Sequence, residues 1–172
     1  VPSPSRQLSN DQQFMRAFVR ESGCQLSEGG SGICHQIVAE KFASPGDIIV
    51  GADSHTVTAG ALCAFATGMG ASDIAAAFAL CKTWLRVPES FNIQVNGKFS
   101  KAVTSKDLVL YLAGKIGADG ANYRALEFNG DAITPMTMSQ RLTVANMAVE
   151  LGAKAGLFPS DGVTRRFLAA QG

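Results

Sequence analysis

The stretch PGDIIVGADSHTVTAGALCAFATGMGASD (residues 45–73) sets an acid, a hydroxyl and an imidazole in a row, between an apolar run and a glycine-rich one. Ile48 to Ala52 form a β-branched run after a Ser44-Pro45-Gly46-Asp47 turn. Such a run predicts a strand buried on both faces. Asp53, Ser54 and His55 follow at its carboxyl end, where open α/β sheets collect their ligands. The Ala- and Gly-rich run from Ala59 to Leu85 predicts one or two closely packed helices, broken near Gly68 and Gly70.

Upstream, VPSPSRQLS (1–9) predicts an extended arm, because two prolines oppose a helix. Residues 10–23 place Phe14, Ala17 and Phe18 at helical spacing, with Asn10 as cap and Gly23 as terminator. EGGSG (28–32) predicts a turn and residues 33–42 a short helix. Downstream, the pattern changes at Val87-Pro88-Glu89. In FNIQVNGKF, Phe91, Ile93 and Val95 share one face, and Asn96-Gly97 signals a hairpin turn. Thr104-Ser105 caps a helix that Gly117 ends. RALEFNG (124–130) predicts a strand, SQRLTVANMAVELGAKAG (139–156) a helix and VTRRFLAA (163–170) a shorter one. The first part alternates like a parallel α/β layer, and the second, from about residue 89, reads as a smaller unit.

Composition narrows the function. Of 172 residues, 47% are apolar and 17% charged, which suits a packed core and opposes disorder. A net charge of +1 without runs of like charge opposes a nucleic-acid surface, which needs clustered Lys and Arg. No 18-residue apolar span predicts a membrane helix. Cys24, Cys34, Cys63 and Cys81 lie among small or apolar neighbours without C-x-x-C spacing. They predict buried thiols and a reducing compartment, the cytoplasm.

Both histidines are candidates. His55 follows Asp53 and Ser54, and a carboxylate beside an imidazole fixes its tautomer for proton transfer. Ser54 can hydrogen-bond an anionic substrate. The bland alternative is a loop whose Asp and Ser satisfy local N–H groups. His35 follows a glycine-rich turn at a helix start, where free N–H groups meet anions. It could equally be a helix-start histidine bonded to a carbonyl. Asn146 and Glu150 are four residues apart and share a face with Thr143 on an otherwise apolar helix. That stripe predicts a polar group turned into protein, with histidine as partner for Glu150; the alternative is a plain solvent face. Asp53, His55 and His35 could together hold zinc, but no cysteine pair or H-E-x-x-H accompanies them, so no metal ligand is assigned.

The segments GSGICHQIVAEKFASPGDIIVGADSHTVTAGALCAFATGMGASDIAAAFA, VTSKDLVLYLAGKIGADGANYRALEFNGDAI and MTMSQRLTVANMAVELGAKAGLFPSDG resemble the aconitase superfamily. Within it they are most similar to the large-subunit group of 3-isopropylmalate dehydratase, homoaconitase and dimethylmalate dehydratase. The resemblance runs over essentially the whole chain, and its G-x-D-S-H-T segment is specific. It implies an α/β fold: an incomplete three-layer α/β/α domain over residues 1–88, then a smaller α/β domain over 89–172. It implies a hydro-lyase that removes and re-adds water on a hydroxy di- or tricarboxylic acid, as in leucine biosynthesis.

By motif match, His35 and Asp53 correspond to a catalytic pair near the departing hydroxyl, and His55 and Glu150 to a second pair. Ser54 matches a substrate-contacting serine and Asn146 a residue lining the cluster pocket. The family's [4Fe-4S] cluster is held by cysteines in an S-C-T-N and a C-x-x-C motif, and neither occurs here. An Asp-His pair, the substrate-binding arginines and a serine base of the family are likewise missing. The resemblance thus implies an internal segment of a large subunit, inactive alone. Its partners would be the rest of that subunit and a small swivelling-domain subunit, with no nucleic acid or membrane. A competing class is an RNA-binding aconitase-like module, which the even charge disfavours.

Overall fold

A computed structural model describes residues 3–171 of the chain. The elements run α1 (Arg6–Ser22), α2 (Cys34–Lys41), β1 (Ile48–Gly51), β2 (Phe65–Gly68), α3 (Ala71–Leu80), β3 (Glu89–Gln94), α4 (Ser105–Ile116), β4 (Arg124–Asn129), α5 (Met138–Met147), β5 (Ala155–Leu157) and α6 (Gly162–Gln171). Two 3-10 segments, Ser54–Leu62 and Ala148–Leu151, complete them. All pairings are parallel: β1 with β2, and a second sheet in the order β3-β4-β5. The chain is α/β, as expected.

Local chemistry explains most boundaries. Gly23 ends α1 with φ 70°, a left-handed turn that costs a glycine least. Thr104 and Asp107 form a reciprocal capping box on α4, and Thr137 and Gln140 another on α5. β4 is buried at Ala125, Leu126 and Phe128, and Phe128 stacks on Phe158 with ring centroids 5.0 Å apart.

The predicted arm over residues 1–9 is corrected. Val1 and Pro2 lie outside the described residues, but α1 already begins at Arg6. Its cap is Ser5, whose hydroxyl accepts from the Leu8 N–H, in place of Asn10. Pro4 sits ahead of that cap, so its ring opposes no helical bond.

β1 is a strand, yet Ile48 is 72% exposed and the rest only half-buried. The sheet is two-stranded among the described residues, so the expected cover on both faces is not formed. The Ala/Gly run is not purely helical. It opens with a buried 3-10 segment, turns at Cys63 (φ 65°), and then forms β2 in register with β1, Ile48 against Phe65. Four residues, with only Ala66 and Thr67 buried, are too few to carry a periodicity that separates strand from helix. The break near Gly68 and Gly70 is found, with α3 starting at Ala71.

The hairpin expected at Asn96-Gly97 does not form. Only Gly97 takes positive φ, whereas a type I′ turn needs both residues there. The Val95 N–H bonds Asn129 O in parallel continuation, and the chain leaves for α4. The long helix expected over 139–156 tightens to 3-10 at Ala148, turns at Gly152 (φ 80°) and returns as β5 beside β4. None of the four cysteines is buried: Cys34 and Cys81 are exposed and Cys24 and Cys63 half-buried, although all four are free thiols.

The core draws on both halves of the sequence. Ala59, Ala61, Leu62, Ala64 and Ala66 meet Leu126, Phe128, Val144, Ala145 and Leu151, all 2% exposed or less. Small residues let the 3-10 segment lie close against α5 and β5. A Cβ on Gly60 would run into the Gly156 carbonyl, and Gly60 O accepts from the Phe158 N–H at 3.0 Å. This contact fixes where the Asp53-Ser54-His55 turn points.

Candidate active site

Four segments bring the candidate side chains close together. His35 stands in the first turn of α2. Asp53 ends the β1 excursion and caps the 3-10 segment, taking the His55 N–H at 2.8 Å. Ser54 and His55 open that segment, and Glu150 lies on the second 3-10 segment, after α5. A Cβ on Gly68 would sit 2.8 Å from Asp53 O and the Ser54 Cα. Glycine there lets β2 press against the turn and hold it.

The distances bring the predicted residues together. His35 Nε2 lies 3.0 Å from Asp53 Oδ1. His55 Nδ1 lies 3.4 Å from the same oxygen and from Ser54 Oγ. Its other nitrogen, Nε2, lies 3.6 Å from Glu150 Oε1, an ion-pair approach rather than a hydrogen bond. The imidazole centroids are 6.1 Å apart. The His55 N–H first of all, with the neighbouring His35 and His55 rings, holds the Asp53 carboxyl below the ordinary aspartate value of 3.8. Asp53 is therefore an anion at neutral pH.

The stripe on α5 is not turned into protein throughout. The Glu150 side chain is 62% exposed, because the tightening to 3-10 at Ala148 carries it to the rim. Asn146 stays half-buried and donates to Thr58 Oγ1 at 3.0 Å, while Thr58 Oγ1 donates to His55 O at 2.6 Å. Asn146 therefore steadies the His55 backbone through one hydroxyl. Thr58 was missed in the sequence. Its signal is the Thr56–Thr58 pair, whose hydroxyls bond back three residues to Asp53 O and His55 O.

Three cavities flank the turn: one of about 200 Å³ is lined by His35, Val50, Asp53 and Thr56, and two more lie beside it. One, of about 300 Å³, is lined by Ile33, His35, Thr58, Thr143 and Asn146. The other, of about 370 Å³, is lined by Ser54, Met69, Asn122, Val149 and Lys154. Lys154 was not singled out in the sequence; a lone lysine between two alanines carries no signal of its own.

A sequence profile described as the aconitase family (aconitate hydratase) matches residues 3–172.

The chain belongs to the aconitase family.

It is 58% identical to the 3-isopropylmalate dehydratase large subunit of Elusimicrobium minutum, over all of this chain and 41% of that protein. It is 55% identical to 3-isopropylmalate dehydratase large subunit 2 of Archaeoglobus fulgidus, again over 100% of this chain and 41% of the relative. It is 47% identical to the probable methanogen homoaconitase large subunit of Methanothermobacter thermautotrophicus, over 99% of this chain and 40% of the relative. The chain thus spans about two fifths of the length of these relatives. Full-length members of the family imply an iron–sulfur cluster. The thiols here do not fit one. Among the described residues, the His, Cys, Asp and Glu side chains that converge in a group of three are His35, Asp53 and His55, with no cysteine.

Proposed function

We propose that this chain is the part of a hydro-lyase large subunit that supplies two proton-handling imidazoles for dehydrating and rehydrating a hydroxy acid. One observation carries the reading: two imidazoles lie 6.1 Å apart about the Asp53 carboxylate, with Glu150 beside the far nitrogen of the second. Loss of water needs a proton delivered to the departing hydroxyl and another withdrawn from the adjacent carbon. Imidazole does both near neutral pH.

We assign the His35–Asp53 pair to the departing hydroxyl, in line with the motif resemblance. Anionic Asp53 favours the tautomer with a proton on His35 Nε2, the nitrogen that lies 3.0 Å from its Oδ1. Glu150 likewise favours a proton on His55 Nε2. Ser54 and Lys154 line one cavity and offer a hydroxyl and a cation to a substrate carboxylate. Asn146 acts through Thr58 as a positioning residue.

The substrate we propose is 3-isopropylmalate, the substrate in the names of the Elusimicrobium and Archaeoglobus relatives. Homocitrate-type, dimethylmalate-type and citrate-type acids are the alternatives within the class. We further propose that this is a segment of a longer subunit and is inactive alone, its [4Fe-4S] cluster held by cysteines outside these 172 residues. A small subunit would close the site, in the reducing cytoplasm that suits four free thiols. The boundary near residue 88 would separate two domains, the β1-β2 sheet before it and the β3-β4-β5 sheet after it. Phe14, Trp84 and Val87, each more than 70% exposed, support missing cover.

Turnover tests this. A large subunit carrying this segment, combined with its small subunit, should isomerise 2-isopropylmalate, and the 172-residue chain should not. No turnover of any such hydroxy acid by the assembled subunits would refute the activity. Turnover by the isolated chain would refute its dependence on partners.

A further inference from the structure

We propose that His35, Asp53 and His55 also form a binding site for one divalent transition-metal ion of the zinc class. This is contrary to the sequence-based expectation of no metal ligand, and it does not rest on the hydro-lyase reading.

Their ligand atoms all lie within 4.8 Å of one another. Four-coordinate zinc with N and O ligands at about 2.0–2.1 Å sets neighbouring ligand atoms about 3.3 Å apart. His35 Nε2 and His55 Nδ1 lie 3.0 and 3.4 Å from Asp53 Oδ1, so two edges of such a tetrahedron are already present. Two imidazole nitrogens and one carboxylate oxygen suit zinc, whereas calcium and magnesium prefer all-oxygen sets.

The surroundings point the same way. Glu150 sits on the far nitrogen of His55, Nε2. Once Glu150 closes from 3.6 Å to hydrogen-bond distance and accepts the Nε2–H, the Nδ1 lone pair is left toward Asp53, the arrangement that carboxylates impose on metal-binding histidines. His35 binds once its ring proton sits on Nδ1. Among the described residues, the hydrogen bonds that Asp53 accepts fall on Oδ1, which leaves Oδ2 open to a cation as well. The Asp53 side chain is 59% exposed, so an ion reaches the site without unfolding, and water completes its shell. Ser54 Oγ, 3.4 Å from His55 Nδ1, stands beside that water.

The probe is Co²⁺, which replaces zinc and shows visible bands in a four-coordinate nitrogen–oxygen site. Titrated into the 172-residue chain, it should bind at one ion per chain and be displaced by one equivalent of Zn²⁺. H35A and H55A should each abolish the bands while the circular dichroism spectrum is retained. D53N keeps an acceptor for the His55 N–H, so the turn survives, and it should weaken binding. Glu150→Gln should weaken it by about 10- to 100-fold. C34S should change nothing. Absence of bands in the parent chain, unchanged bands in either histidine variant, or their loss in C34S would overturn the proposal.

Discussion

Two clusters of opposite charge lie on either side of α5, and they are built on opposite lines. At one, the Arg141 side chain is wholly buried and grips Asp161 with two hydrogen bonds, at 3.0 and 2.6 Å. Asp161 Oδ1 also takes the Val163 and Thr164 N–H groups and so caps α6. Arg141 reaches Pro159 O and Thr134 O besides; only its Nε finds no partner. At the other, Asp53 offers one oxygen to His35 and His55, while Glu150 stands 3.6 Å from its imidazole and largely in solvent. The first cluster is filled and holds the chain's return to α6. The second has open valence and holds little. Charge that stabilises is closed off, and charge that reacts is left something to bind.

The contrast can be broken from its strong side first. Asp161→Ala leaves a buried guanidinium unpaired, which costs about 3–5 kcal/mol. Denaturant unfolding should show most of the chain's stability gone; a loss like that of a surface substitution would erase the contrast.

Acid should then separate the clusters. The hydrogen bonds from Arg141, above all, hold the Asp161 carboxyl below 3.8. A carboxyl depressed on folding contributes stability above its unfolded value, and that contribution is lost as pH falls through the folded one. Stability should therefore decline below about pH 3.8, and D161N should lack most of that decline. D53N should keep it, since Asp53 is exposed and its shift is screened. Equal acid profiles in the two variants would contradict the distinction.

Smaller effects sharpen it. Asn146→Ala removes one part-buried hydrogen bond to Thr58 and should cost about 1 kcal/mol in thermal or denaturant unfolding. H35A should cost about 1 kcal/mol or less, because the Asp53 carboxylate that its imidazole faces is 59% exposed and stays hydrated. A loss several times larger would move His35 to the structural side.

How much of this was legible depended on whether the signal was local. Gly23, the cap at Thr104 and the alternation of β3 are written within a few residues, and each was read correctly, although Asp107's part in that cap was not. β2 and β5 were not, because Phe65–Gly68 and Ala155–Leu157 become strands only by pairing with β1 and β4. The Asn96-Gly97 signal was local and misled, since β4 competes for the edge that a hairpin would use.

For the site, the Asp53-Ser54-His55 triplet was plain, and Glu150 was found by its helical spacing from Asn146. Thr58 and Lys154 were missed because their meaning lies in what the fold brings beside them. Arg141–Asp161 was missed for the same reason: twenty residues separate the partners, and a lone arginine on an amphipathic helix reads as surface.

The central claim is that His35 and His55, which converge on Asp53, work as a proton-handling pair. Its most direct test is the turnover of assembled large and small subunits carrying His35→Ala or His55→Ala, with unfolding measured on the same samples. Loss of a positioned acid or base should lower kcat by about 10²- to 10⁴-fold while the unfolding midpoint stays in place. Turnover within a few-fold of the parent in either variant, with the fold intact, would contradict it.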